Sequence, residues 1–343
     1  MNFKKPFFIA EISANHEGSI SKAYSLIKLA KKYGADAVKL QTYKPETMTL
    51  NSKKKYFKIN NGLWKNYYLW DLYNKGHTPW SWHKRLFSYA KKNNIRLFST
   101  PFDVTAVDFL EKLNCPFYKV SSFEMNDLEL IKKISKTKKT IIISTGMASL
   151  REIDISFETA KRNGAKNIVL LYCVSSYPSK IDDYNMYNIK IMKERYKCDV
   201  GLSDHSNDST VASLALCYGA TFFEKHISIN HKSKGLDSDF SLKGKDIAEY
   251  RNVLDTSFRL NDNKNFFFRS KNELRNKKFK RSIFSLKQIN KNEKFTKFNI
   301  VKIRPGDGLD ARYYSQILNR KSPIKISPES PLNKKLIKLL KLK

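Results

Sequence analysis

The chain has 343 residues, 41% of them hydrophobic and 28% charged, with 65 Lys and Arg against 32 Asp and Glu for a formal net charge of +33. That length and apolar content suit one large domain plus a smaller one and exclude a disordered chain, and the lack of any apolar run of about 18 residues excludes a transmembrane helix. The basic excess is Lys spread along nearly every surface-type segment, without RNP-like aromatics, helix-turn-helix or zinc-finger spacing, so it reads as compositional bias rather than a nucleic-acid interface.

The opening MNFKKPFFIAEIS meets a charge too early, at Glu11, for a signal peptide. Residues 7–13 form the first expected strand, followed by the amphipathic helix ISKAYSLIKLAKKYG, closed by Gly34. Residues 37–43 are the second strand, and a long aromatic-rich excursion, NNGLWKNYYLWDLYNKGHTPWSWHKRLFSYAKKNN, ends in a helix. Further strands are expected at residues 96–102, 117–122, 140–146 and 167–173, each followed by a helical pattern. The seventh and eighth lie within DVGLSDH and FFEKHIS, and a final helix covers residues 245–260. Eight units of apolar strand and helix imply a TIM (β/α)8 barrel over residues 1–261, with a doubly wound open sheet as the alternative. Residues 262–280 are polar, basic and aperiodic and read as a linker. Residues 281–343 carry short β-like runs and a PGDG turn, which imply a small β-rich module. The closing Lys/Leu tail reads as a frayed helix. The cysteines Cys115, Cys173, Cys198 and Cys217 lack CxxC spacing and read as free buried thiols in a reducing cytoplasm.

Barrel active sites lie at the carboxyl ends of the strands. Here those ends are polar: Glu11, Lys39, Gln41, Lys119, Ser122, Glu124, Ser144, Tyr177, Ser203, His205 and His226. His205 and His226 close successive strands, which lie about 4.8 Å apart, so their rings suit a shared cation. Two ligands leave positions for water, a carboxylate or substrate oxygens, which favours exchangeable Mn²⁺ or Mg²⁺ over structural zinc. Lys39 and Lys119 need partners wherever they are buried. With Ser122, Ser144 and Ser203 they outline a phosphate or carboxylate pocket; capping is the competing role for each serine. Glu11 and Glu124 are either ion-pair partners of these lysines or general acids and bases. No GxGxxG or Walker loop is present, which argues against a dinucleotide or ATP.

The ordered motifs EISANHEGS, ADAVKLQTY, FSTPFD, YKVSSFE, ISTGMAS, GLSDHS, EKH and KIRPGDGL resemble the sialic acid synthase family across essentially the whole chain. The resemblance implies a TIM barrel joined to a C-terminal antifreeze-like (SAF) domain. It implies a transferase that condenses phosphoenolpyruvate with an N-acetylated amino sugar in its open aldehyde form. It implies a divalent metal, Mn²⁺, Mg²⁺ or Co²⁺, on His205 and His226. Phosphoenolpyruvate contacts then fall on Lys39, Lys119, Ser122, Ser144 and Ser203, acids on Glu11 and Glu124, and sugar contacts on Gln41, Tyr177 and Arg304. Arg304 would reach the other subunit's site in a domain-swapped homodimer. GLWKNYYLWDLY followed by HTPWSWH, and SSFE where N-acetylneuraminate enzymes carry GSGE, point to a 2,4-diacetamido-2,4,6-trideoxy-L-altrose substrate, with N-acetylmannosamine or a legionaminic acid precursor as alternatives. The aromatic segment then either packs over the barrel mouth or meets the sugar's C6 methyl.

Overall fold

Apolar strands buried on both faces need cover on both, and a ring of parallel strands inside a ring of helices supplies it. The structure, a computed structural model, describes residues 5–262, 265 and 267–342. The chain divides into two compact units, Met1–Asp262 and Asn263–Lys343.

In the first unit the eight strands are β1 (Phe7–Glu11), β2 (Ala37–Thr42), β3 (Arg96–Pro101), β4 (Phe117–Val120), β5 (Thr140–Ser144), β6 (Asn167–Cys173), β7 (Asp199–Asp204) and β8 (Phe222–Ser228). Each pairs in parallel with the next, and β1 also pairs with β8, so the sheet closes. A short strand β9 (Leu242–Lys243) pairs in parallel with Ile227 and Ser228 at the end of β8. β5 and β8 are buried along their whole length. The first strand is shorter than expected: it ends at Glu11, and Ser13–His16 form a 3-10 turn opened by Ser13 at φ 47°. Helix starts are set by local chemistry. Ser149 and Glu152 cap each other reciprocally at Leu150–Arg162, and Asp103 accepts from Thr105 N and Ala106 N at Val104–Lys112.

The second unit is built on the antiparallel strands β10 (Ser282–Ser285), β11 (Ile300–Ile303) and β12 (Leu309–Asp310), with β10 in the middle. Ile283, Ile289, Phe295, Ile300, Leu309 and Leu332 form its core. Two expectations change here. The stretch read as a bare linker holds the short helix Lys271–Arg275, which Ser270 caps by accepting from Glu273 N at 3.1 Å. The Lys/Leu tail is not frayed: Leu336–Leu339 is helical, and both Leu336 and Leu342, which lies beyond the helix end, are buried in the same core. No described helix is long and apolar enough to cross a membrane.

Candidate active site

The strand ends surround a cavity of about 380 Å³ within the first unit. Lys39 on β2 and Lys119 on β4 point into it, at 3% and 2% exposure. Ammonium groups that deep must be neutralised. Glu224 on β8 stands between them, with Oε1 3.7 Å from Lys39 Nζ and 3.6 Å from Lys119 Nζ. Ser203 Oγ donates to the same oxygen at 3.3 Å. Glu11, opposite Lys39 in the β1–β2 register, places Oε2 2.6 Å from Lys39 Nζ, and that ammonium also donates to Thr100 Oγ1 at 3.0 Å. Burial pushes the Glu11 carboxyl up to about 7, against the pull of Lys39 and with the push of Glu224. Burial would raise Glu224 too, but Lys119 and Lys39 outweigh it and hold that carboxylate low. Burial lowers Lys119, whereas at Lys39 the two carboxylates overcome burial and raise it.

Hydroxyls line the next side. Ser144, at the end of β5, is 2% exposed, and its Oγ has no hydrogen-bond partner among the described residues. A bare buried hydroxyl costs about 1–3 kcal/mol, and a ligand oxygen would remove that cost. Ser122 Oγ accepts from Gly146 N at 3.1 Å. Gly146 is required at that approach: a Cβ there would lie 2.8 Å from Ser122 Oγ and closer still to Ser175 Oγ. Glu124 follows on the same turn and accepts from Ser121 Oγ; burial pushes its carboxyl up to about 7, partly countered by Lys119.

The two histidines meet, their ring centroids 5.5 Å apart. His205 directly follows β7, and His226 lies within β8. His205 Nδ1 engages the Val174 carbonyl at 3.0 Å, which leaves Nε2 as the ring nitrogen that could take a ligand. His226 Nδ1 is buried without a hydrogen-bond partner and sits 3.8 Å from Asp237 Oδ2. Burial, His205 and the nearby lysines hold His226 well below its ordinary value, so its imidazole is neutral, the form that binds a cation. Asp237 is held in place by Ser13 Oγ at 2.5 Å and Ala14 N at 3.5 Å. Among the described residues no three His, Cys, Asp or Glu side chains converge as a ready-made cage. Two imidazoles, an orphaned ring nitrogen and a neighbouring carboxylate nonetheless fit an exchangeable divalent ion that keeps water or substrate oxygens.

An aromatic group closes the mouth. Trp64, from the excursion after β2, lies 5.3 Å from Tyr177, Tyr177 lies 5.2 Å from Phe240, and Phe240 lies 4.8 Å from His226. Trp64 Nε1 donates to the Leu236 carbonyl at 3.0 Å, tying the excursion to the loop after β8. Leu69, Leu72, Tyr73 and Gly76 of the same segment also line the cavity, whereas Trp80 stacks on Phe109 at 4.4 Å and Trp82 meets His16.

Of the residues singled out from the sequence, Lys39, Gln41, Lys119, Ser122 and Glu124 line the cavity, as do Ser144, Tyr177, Ser203, His205 and His226. Glu11 stands beneath them as the counter-ion of Lys39. Arg304 lies in the second unit, exposed, just after β11. Cys173 lines the cavity and Cys115 is buried, but Cys217 is exposed at a helix end, so the thiols are not uniformly buried. Sequence reasoning missed Glu224 and Asp237. Glu224 was accessible, being two residues before His226 and so on the same strand face. Asp237 sits in an aperiodic loop that carries no such signal.

Residues 26–266 match the NeuB family. Over 323 residues, 93% of each chain, the protein is 39% identical to a pseudaminic acid synthase of Campylobacter jejuni. It is 38% identical over 328 residues, 96% of each chain, to a pseudaminic acid synthase of Helicobacter pylori. Among solved structures it resembles an N-acetylneuraminic acid synthetase from Leptospira borgpetersenii, with a TM-score of 0.71 and 26% identity, covering 79% of this chain and 90% of that one.

Proposed function

The chain belongs to the NeuB family, and from that premise we propose that it makes pseudaminic acid, by joining phosphoenolpyruvate, 2,4-diacetamido-2,4,6-trideoxy-L-altrose and water with release of phosphate. The observation that carries this reading is the meeting, in one cavity, of two buried lysines, an unpartnered serine hydroxyl and two facing histidines. Lys39 and Lys119 offset the carboxylate and phosphate charges of phosphoenolpyruvate, and Ser122 and Ser144 donate to its oxygens, as does Ser203 once its hydroxyl turns from Glu224. When bound at His205 and His226, a divalent ion supplies Lewis-acid polarisation of the sugar aldehyde.

The phosphoenolpyruvate methylene forms a bond to the aldehyde carbon, and the aldehyde oxygen takes up a proton to become a hydroxyl. Positive charge left at the enol carbon is quenched by water, which gives up a proton. Collapse of that adduct breaks the C–O bond, its hydroxyl proton passes to the departing phosphate, and a 2-keto acid remains. One proton is consumed and one released, and carboxyls raised to about 7 can hold either near neutrality. Glu124, on the cavity wall, is the proposed donor to the new hydroxyl, and Glu11 tunes Lys39 from below. Ile59, Leu69 and Leu72 form an apolar wall on the excursion side, suited to a sugar whose sixth carbon is a methyl group. Arg304 is proposed to serve the partner subunit's site in a swapped dimer.

The test is phosphate release with Mn²⁺, comparing the trideoxy sugar with N-acetylmannosamine. The expected result is turnover of the first at least about 10-fold above the second. Equal turnover of both would remove the sugar assignment while leaving the reaction class intact.

A further inference from the structure

The strands that present His205 and His226 to the cavity carry a buried ion pair on their opposite face. Outward positions run Val200, Leu202, Asp204 on β7 and Phe223, Lys225, Ile227 on β8, all buried. One rung of an otherwise apolar wall is therefore charged, and it is the rung immediately before each histidine. Asp204 and Lys225 are partners in the β7–β8 register, with Lys225 Nζ 3.2 Å from Asp204 Oδ2, at 1% and 2% exposure. The contacts reach around the histidine. Asp204 Oδ1 accepts from Ser206 N at 2.8 Å and Ser206 Oγ at 2.7 Å, and Lys225 Nζ donates to the Ser206 carbonyl. His205 is thus the middle residue of a turn pinned on both sides. Two tyrosines complete the network: Tyr184 OH, from the loop after β6, donates to Asp204 Oδ1 at 3.3 Å, and Tyr250 OH, from the outer helix Asp246–Asp262, to Oδ2 at 3.4 Å.

Two well-packed apolar residues would fill this wall without the desolvation cost of a buried ion pair, often with equal or better stability. What the ion pair adds is direction: it ties the residue before His226 to the residues on either side of His205. We propose that Asp204 and Lys225 are positioning residues that set the spacing and orientation of the His205 and His226 rings, and thereby the affinity for a divalent cation. The inference rests on the cation reading of those histidines.

The experiment uses the full-length protein and measures Mn²⁺ affinity by titration calorimetry, alongside the thermal unfolding midpoint. The double variant Asp204→Leu with Lys225→Met is expected to unfold at or above the parent midpoint while binding Mn²⁺ about 10–100-fold more weakly. A folded double variant with parental Mn²⁺ affinity would overturn the proposal. Tyr184→Phe with Tyr250→Phe keeps both rings and removes two donors to Asp204. It is expected to bind Mn²⁺ several-fold more weakly, and unchanged affinity overturns the proposal even where the first variant fails to fold. If the parent itself binds no Mn²⁺, the cation reading is what has failed, and the positioning role falls with it.

Discussion

The two units bury different chemistry. In the second, the buried polar side chains among the described residues are Ser282, Ser285, Asn299 and Ser322. None is charged, and each has a backbone carbonyl to donate to: Pro305, Ser327, Lys294 and Ile324. In the first, Glu11, Lys39, Lys119, Asp204, Glu224, Lys225, Asp237 and Arg251 are all buried. Arg251 ties the outer helix layer to Asp36 at 3.1 Å and to Asp255, and that is scaffolding. The others gather at the carboxyl ends of the strands. Uncharged buried polar groups complete turns at little cost, whereas buried charges are a poor route to stability. Their concentration at one end of one unit marks where stability has been exchanged for chemistry.

That contrast can be broken most sharply at the histidines. His226→Ala is expected to lower turnover by about 10³-fold or more with the fold intact by circular dichroism, since the ring sits at the mouth and not in the core. Chelation of divalent ions should reproduce the loss in the parent. Retained turnover in either experiment would detach the site from metal chemistry.

Glu124→Gln is expected to cost about 10²-fold in kcat and to remove one of two ionisations near pH 7, the other belonging to Glu11. The sign for stability is also defined. Burial raises the Glu124 carboxyl from 4.5 to about 7, so the folded protein favours its protonated form. The stability that proton lends is complete below about pH 4.5 and is lost as pH rises through 7. Denaturant unfolding at several pH values should show a shallower fall over that window in Glu124→Gln; an unchanged slope would contradict the assignment.

Arg304→Ala sharpens the comparison from the other side, because it asks whether the second unit contributes a charge to catalysis at all. A sugar KM about 10–100-fold higher, with an unchanged unfolding midpoint, is expected if Arg304 serves a partner's site. A larger effect on phosphoenolpyruvate than on sugar would refute that role. The smallest effect is expected from Leu69→Ala, about 10-fold in kcat/KM for the trideoxy sugar and less for a sugar with a hydroxyl at carbon six. Equal losses for both would show that the wall fills space without selecting.

Much of the fold was legible because it rests on local rules. Runs such as TIIIS and FFEKHIS mark strands buried on both faces, amphipathic helices separate them, and eight repeats imply closure. Polar residues at successive strand ends are gathered by that closure alone, which is why Lys39, Lys119, Ser144, Ser203, His205 and His226 could be grouped before any distance was known. The Lys/Leu tail was misjudged because its composition looks solvated, while two of its leucines, Leu336 and Leu342, are buried in the second unit's core.

Composition and periodicity, then, determined the barrel, the small β-rich unit and the rim of cationic, hydroxyl and imidazole groups. Only the tertiary structure decided which carboxylate neutralises which lysine, that Asp237 comes within reach of His226, and that Asp204 and Lys225 join behind the histidines. Apolar patterning acts between near neighbours along the chain, so it can be read in one dimension. Charges select partners through space, with an energy that falls as separation grows and rises as water is excluded, and both quantities depend on strand register and loop path, which exist only once the barrel has closed.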